Sequence, residues 1–93
     1  MWEVFEHRRV VRQLRKIPID ILKRYEKWKD IVTISGPPGL RKIKGFSDEA
    51  LSGEWAGHRS SRLSQQYRVL YRIEKEQVRV EVVNVTAHDY RRK

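Results

Sequence analysis

The run Ser35-Gly36-Pro37-Pro38-Gly39 divides the chain into two halves with different hydrophobic periods. Glycine and proline packed this closely break both helices and ladders, so neither half can extend through it. Before the break, apolar residues recur at helical spacing from Glu6 to about Ile34. After it, from Trp55 to Thr86, they alternate at strand spacing. Helices followed by strands, rather than the two interleaved, imply an α+β domain with the helices on one sheet face.

In the first half, Val10, Val11 and Leu14 mark the apolar face of a short helix whose other face carries Arg8, Arg9, Arg12, Arg15 and Lys16. Pro18 ends it and can open the next helix, with Asp20 at the positive end of the dipole. That second helix buries Ile21, Leu22, Tyr25, Trp28 and Val32 and turns Lys23, Arg24, Lys27 and Lys29 to water. The two form an αα-hairpin, preceded by a short edge strand around Trp2 and Val4.

In the second half, a short strand is expected around Leu40 to Lys44 and a loop from Gly45 to Glu49. A longer strand follows from Trp55 to Leu63, then a turn at Ser64-Gln65-Gln66. Tyr67, Val69, Tyr71 and Ile73 alternate with Arg68, Leu70, Arg72 and Glu74, the pattern of a half-buried strand. After a turn at Glu74 to Gln77, Val78, Val80 and Val82 alternate with Arg79 and Glu81 in a last strand reaching Thr86. The expected architecture is an N-terminal αα-hairpin on a three- to four-stranded antiparallel sheet, one domain over residues 1–93.

Charge narrows the partners. Lys plus Arg number 21 and Asp plus Glu 12, so 21 − 12 gives +9 on 93 residues. Such an excess favours an anionic partner, nucleic acid first. The absence of Cys excludes a disulfide framework, a thiolate zinc site and a cysteine nucleophile. Apolar runs are too short to span a membrane, and the N-terminal residues contain no export signal, so a cytoplasmic location is expected.

The basic residues of the second half are the candidate binding surface: Arg41, Lys42 and Lys44, then Arg59 and Arg62, then Arg68 and Arg72. If Tyr67, Val69, Tyr71 and Ile73 face the helices, Arg68 and Arg72 point the other way. Guanidinium groups gathered there match phosphate in geometry and charge; a merely solubilising basic face is the plainer alternative. The basic residues of the helices oppose the apolar stripes and read as a solvated surface. His7, His58 and His88 lack metal-ligand spacing, and no P-loop, GxGxxG or GxSxG is present, so neither metal nor nucleotide cofactor is expected. His88, beside Asp89 and Tyr90, is a candidate proton-transfer group, since imidazole titrates near neutrality. Glu49, beside Asp48, is a candidate general base.

Leu51-Ser52-Gly53-Glu54-Trp55-Ala56-Gly57-His58-Arg59-Ser60-Ser61-Arg62-Leu63, followed by Gln66-Tyr67-Arg68-Val69-Leu70-Tyr71-Arg72-Ile73, resembles the RelE/ParE toxin superfamily. The pattern is Leu-x-Gly-x-Trp-x-Gly into a strand, then aromatic-Arg-hydrophobic-x-Tyr, then a tail with His and Tyr. Within the superfamily it is most similar to the HigB and YafQ type. The resemblance covers Leu40 to Tyr90 and implies a RelE-like microbial RNase-type fold.

The resemblance also implies a function: the toxin of a type II toxin–antitoxin system, a metal-independent endoribonuclease that cleaves messenger RNA in the ribosomal A site through attack by the ribose 2′-OH. Its partners would be a cognate antitoxin, the ribosome and messenger. By position, Arg68 matches the arginine that contacts the scissile phosphate. His88 and Tyr90 match a C-terminal His and Tyr acting as acid or in base stacking. Glu49 falls where HigB and YafQ types carry His and where the related YoeB carries a Glu base; Arg62 falls at another His of YafQ. Glu49, Arg62, Arg68, His88 and Tyr90 are thus the implied catalytic set, with Arg41, Lys42, Lys44, His58, Arg59 and Arg72 as RNA contacts. The alternative is a ParE-like toxin that inhibits DNA gyrase without chemistry of its own.

Overall fold

The structure, a computed structural model, describes residues 1–87. Strand β1 (Glu3–Glu6) leads into helix α1 (Arg8–Leu14), which is capped by His7: its Nδ1 accepts from Arg9 N at 3.2 Å. Pro18 then stands as the N-cap of α2 (Ile19–Ser35), with Asp20 in the first turn. Ile21, Tyr25, Trp28 and Val32 recur at intervals of four and three and are buried, with Leu22 half-buried beside them. In α1 only Val10 is buried. Val11, expected on the apolar face, is 46% exposed, because so short a helix packed on a single strand buries one narrow row.

The break at Gly36 ends α2 but does not end the helical half. Where a strand was expected over Leu40 to Lys44, Pro37–Arg41 form a further helical turn, α3, and Lys44–Phe46 a 3₁₀ turn. Pro37 and Pro38 occupy the first helical positions, where a missing N–H is no loss and a fixed φ suits the helix. The same dipeptide that stops one helix therefore starts another, and Leu40 and Phe46 are driven into the core.

Among the described residues the sheet has five strands, one more than the upper expectation: β1, β2 (Glu49–Ala50), β3 (His58–Arg62), β4 (Arg68–Glu74) and β5 (Arg79–Thr86), in the order β1-β5-β4-β3-β2. β2 begins at Glu49, the last residue of the expected loop. β3 starts at His58 rather than Trp55 because Gly53–Trp55 make a 3₁₀ turn. The β2-β3-β4-β5 meander is antiparallel, whereas β1 joins β5 in parallel, Val4 opposite Val80 and Glu6 opposite Val82. Beyond the end of β1, Gln13 of α1 completes the edge of β5: its Oε1 accepts from Val85 N at 2.8 Å and its Nε2 donates to Asn84 Oδ1 at 2.5 Å.

One face of the sheet meets the helices. Val69, Tyr71, Val80, Val82 and Val85 pack there against Tyr25, Trp28 and Val32, and Trp28 meets Tyr71 edge-on at 5.2 Å. Truncating a buried Trp of this kind costs about 3–5 kcal/mol. The other face carries the alternating side chains. No helix among the described residues is long and apolar enough to cross a membrane.

Candidate functional site

Strand register arranges the face away from the helices, here the open face, in rows. Directly paired residues of antiparallel strands share a face, and residues two apart along a strand stand about 7 Å apart. One row runs Arg62, Arg68, Thr86 across β3, β4 and β5. The next runs Glu49, Ser60, Leu70, Asn84, and the third His58, Arg72, Glu81. The sheet thus brings together Glu49, Arg62 and Arg68 of the expected catalytic set, with the carboxylate one row from the two guanidinium groups. Ser60, Leu70 and Thr86 depart from the solvent-facing alternation, for all three are buried on this face.

The three rows differ in electrostatics. Arg62 is half-buried, and its Nε is buried with no hydrogen-bond partner among the described residues. Arg72 has its charge answered within the sheet, donating from Nε to Glu81 Oε1 at 2.9 Å with Glu74 at 4.0 Å. His58 stands edge-on to Trp55 at 5.3 Å, its Nδ1 buried and without a partner among the described residues.

Arg59 does not belong to this face. It pairs with Tyr71 in register and so points to the helix side, where Nε and Nη2 both donate to Asp48 Oδ1, at 2.8 and 2.7 Å. Burial works against its charge, but the hydrogen bonds to Asp48 and that carboxylate's charge outweigh it and hold the guanidinium ionised. Arg59 and Arg62 are three residues apart, an odd spacing that puts them on opposite faces of any regular strand. The sequence therefore held the signal that separates them.

Arg41, Lys42 and Lys44 are exposed, but on α3 and the turn after it, which pack against α2 on the helix side. The helix in place of the expected strand removes them from the rows of the open face. His88 and Tyr90 lie outside the described residues.

Sequence reasoning missed the role of Asp48, named there only as the neighbour of Glu49. Its side chain is fully buried. Besides Arg59, its Oδ2 accepts from Ser61 Oγ at 2.7 Å and from the Tyr71 hydroxyl at 2.5 Å, while Trp28 Nε1 donates to Ser61 Oγ at 2.9 Å. The Tyr71 phenol is pushed well above its ordinary value, first by burial and then by the adjoining Asp48 carboxylate. Every member of this network lies on the core side of the sheet or in α2, directly beneath the Glu49 and Arg62 rows. Among the described residues no group of three or more acidic or His side chains is placed to hold a metal ion.

This fold has counterparts among solved structures. The RelE–RelB complex of Pyrococcus horikoshii contains a chain 24% identical, with a TM-score of 0.74, covering 91% of this chain and 92% of that one. The RelBE2 toxin–antitoxin complex of Mycobacterium tuberculosis contains one 27% identical, with a TM-score of 0.68 and coverage of 91% and 95%. The YoeB/ParE toxin of Agrobacterium tumefaciens is 16% identical, with a TM-score of 0.75 and coverage of 94% and 99%. The structural neighbours of the chain are thus RelE, YoeB and YafQ toxins of the RelE/ParE superfamily, and the α+β architecture is theirs. No protein-family model matches the sequence, and no curated protein matches it.

Proposed function

We propose that this chain is the toxin of a toxin–antitoxin pair and that it cuts messenger RNA on the ribosome, in the cytoplasm. The observation that carries the reading is the row pairing Arg62 with Arg68, with Glu49 one row away on the same open face. Neighbours of this fold are toxins solved with antitoxins, which supports a small antitoxin as the partner that covers the basic face.

The chemistry follows from those groups. Glu49 takes the proton of a ribose 2′-OH, and the 2′-oxygen attacks the adjacent phosphorus. The P–O5′ bond breaks, leaving a 2′,3′-cyclic phosphate on one fragment and, after protonation of the leaving oxygen, a 5′-OH on the other. His88 supplies that proton and Tyr90 stacks on a base. Arg68 and Arg62 hold the phosphate oxygens as negative charge builds on them, and a preorganised donor in this role is worth about 10²–10³ in rate. His58 extends the contact along the strand of RNA, while Arg72, expected as a further contact, stays paired with Glu81. Base, acid and fixed cations are all side chains, so the step as written calls for no metal.

The test is expression under tight control with messenger 5′ ends mapped by primer extension, beside Arg68→Ala. New ends in register with codons, reduced at least a hundredfold in the folded variant, are expected. Intact messenger alongside growth arrest and broken chromosomal DNA would replace this reading with gyrase inhibition.

A further inference from the structure

We infer that Asp48 is a positioning residue: its buried carboxylate latches the two-residue strand β2 onto β3 and β4 and so fixes Glu49 on the open face beside Arg62 and Arg68. The functional part of this inference rests on the reading of that face as an RNA-cutting site.

β2 is too short to hold itself. It consists of Glu49 and Ala50, paired with Ser60 and Arg59, and is followed by one further bond from Leu51 N to His58 O at 2.9 Å. Among the described residues it is also an edge strand, with ladder bonds on one side only. Two ladder pairs at a sheet edge fray readily, yet the candidate base must stay within reach of a bound phosphate. Asp48 supplies further anchorage. Its partners Arg59, Ser61 and Tyr71 lie on β3 and β4, the two strands that carry Arg62 and Arg68.

The latch also sets direction. Successive side chains of an extended chain point to opposite faces, so a carboxylate at Asp48 clamped toward the helices puts Glu49 on the other side. Ser47, just before it, has a left-handed φ of 43°, a conformation costly for a residue with a Cβ. It redirects the chain out of the Lys44–Phe46 turn so that Asp48 enters beneath the sheet. Such strain persists only where the surroundings over-determine it, and four hydrogen bonds on one buried carboxylate do so.

The substitution Asp48→Asn keeps the size of the side chain and removes its charge. Amide hydrogen exchange reads the latch directly. Leu51 is expected to exchange at least tenfold faster in the variant, with Val80 and Val82 of β5 keeping their protection; unchanged protection at Leu51 would overturn the latch. RNA cleavage then reads its consequence. Asp48→Asn is expected to lower the cleavage rate at least tenfold when Glu49 is present and less than twofold in a Glu49→Gln background, with RNA affinity unaltered. Equal losses in both backgrounds refute the link to Glu49. If the unsubstituted protein cuts no RNA, the proposed function falls, and the exchange result alone decides the latch.

Discussion

Arg62 stands directly opposite Arg68 in the antiparallel pairing of β3 and β4, so two guanidinium groups share one end of a sheet face. Like charges in directly opposed positions destabilise a sheet by a few tenths of a kcal/mol to about 1 kcal/mol. The buried Nε of Arg62, without a partner among the described residues, adds to the cost. An arrangement that works against folding and suits an anion fits the proposed RNA-binding surface. Replacing Arg62 with Gln is therefore expected to raise the melting temperature by a degree or more, roughly, while weakening RNA binding. Thermal melting and RNA affinity measured on the same preparation check both signs, and loss of stability with unaltered affinity would contradict them.

Arg72 serves as the contrast. It lies on the same strand and face as Arg68, but its charge is met by Glu81 at 2.9 Å and its side chain is 49% exposed. Phosphate must compete with a carboxylate already in place. Arg72→Ala is expected to change RNA affinity by less than about threefold and to leave the salt dependence almost unaltered, whereas Arg68→Ala should flatten the slope of log affinity against log salt by about one. Equal salt slopes for the two variants would show that Glu81 does not neutralise Arg72.

Where local pattern governs, the sequence was readable. The spacing of Ile21, Tyr25, Trp28 and Val32 gives α2, and the alternation from Tyr67 to Glu74 gives β4 and the faces of Arg68 and Arg72. The parallel union of β1 with β5 joins the first strand to the last and leaves no trace in either segment alone. Pro37-Pro38 signals both a stop and a start, and only the burial of Leu40 decides that a helix follows. Asp48 was hidden for a related reason. A carboxylate in a polar loop looks solvated until the strands supplying Arg59, Ser61 and Tyr71 are folded over it. Glu49, Arg62 and Arg68 were named from resemblance; their meeting on one face is a matter of register, which the fold supplies.

Gly36 is required by both its own backbone and its neighbour. Its φ of +73° lies in the region that side-chain-bearing residues avoid, and a Cβ there would stand 2.5 Å from Trp2 Nε1. Trp2 N in turn donates to Thr33 O at 3.2 Å, which ties the start of β1 to the end of α2. Gly36→Ala must either strain the turn or displace the indole, and is expected to cost about 1–3 kcal/mol. Urea unfolding checks this through a lower midpoint at unchanged slope, and a midpoint within error of the parent would rule it out.

Two buried phenols make stability fall at high pH. The Tyr25 hydroxyl donates to Glu6 Oε2 at 2.6 Å and the Tyr71 hydroxyl to Asp48 Oδ2 at 2.5 Å. Burial first, and then these carboxylates, raise both phenols above the ordinary value of 10.0. Above that pH the unfolded chain releases protons that the folded chain retains, so the folded state binds more protons and its stability declines as pH rises. The contribution is fully present below pH 10, and above it each phenol adds a slope of up to about 1.4 kcal/mol per pH unit. Lys29 acts in the same direction: burial lowers its value, but its ion pairs with Glu26 and Glu6 prevail and raise it. Denaturant unfolding from pH 8 to 11.5 should therefore show a plateau followed by a decline. Tyr71→Phe should be less stable on the plateau, since Asp48 loses a donor, yet decline less steeply beyond it. Parallel curves for the two proteins would mean that the Tyr71 proton is not held by the folded state.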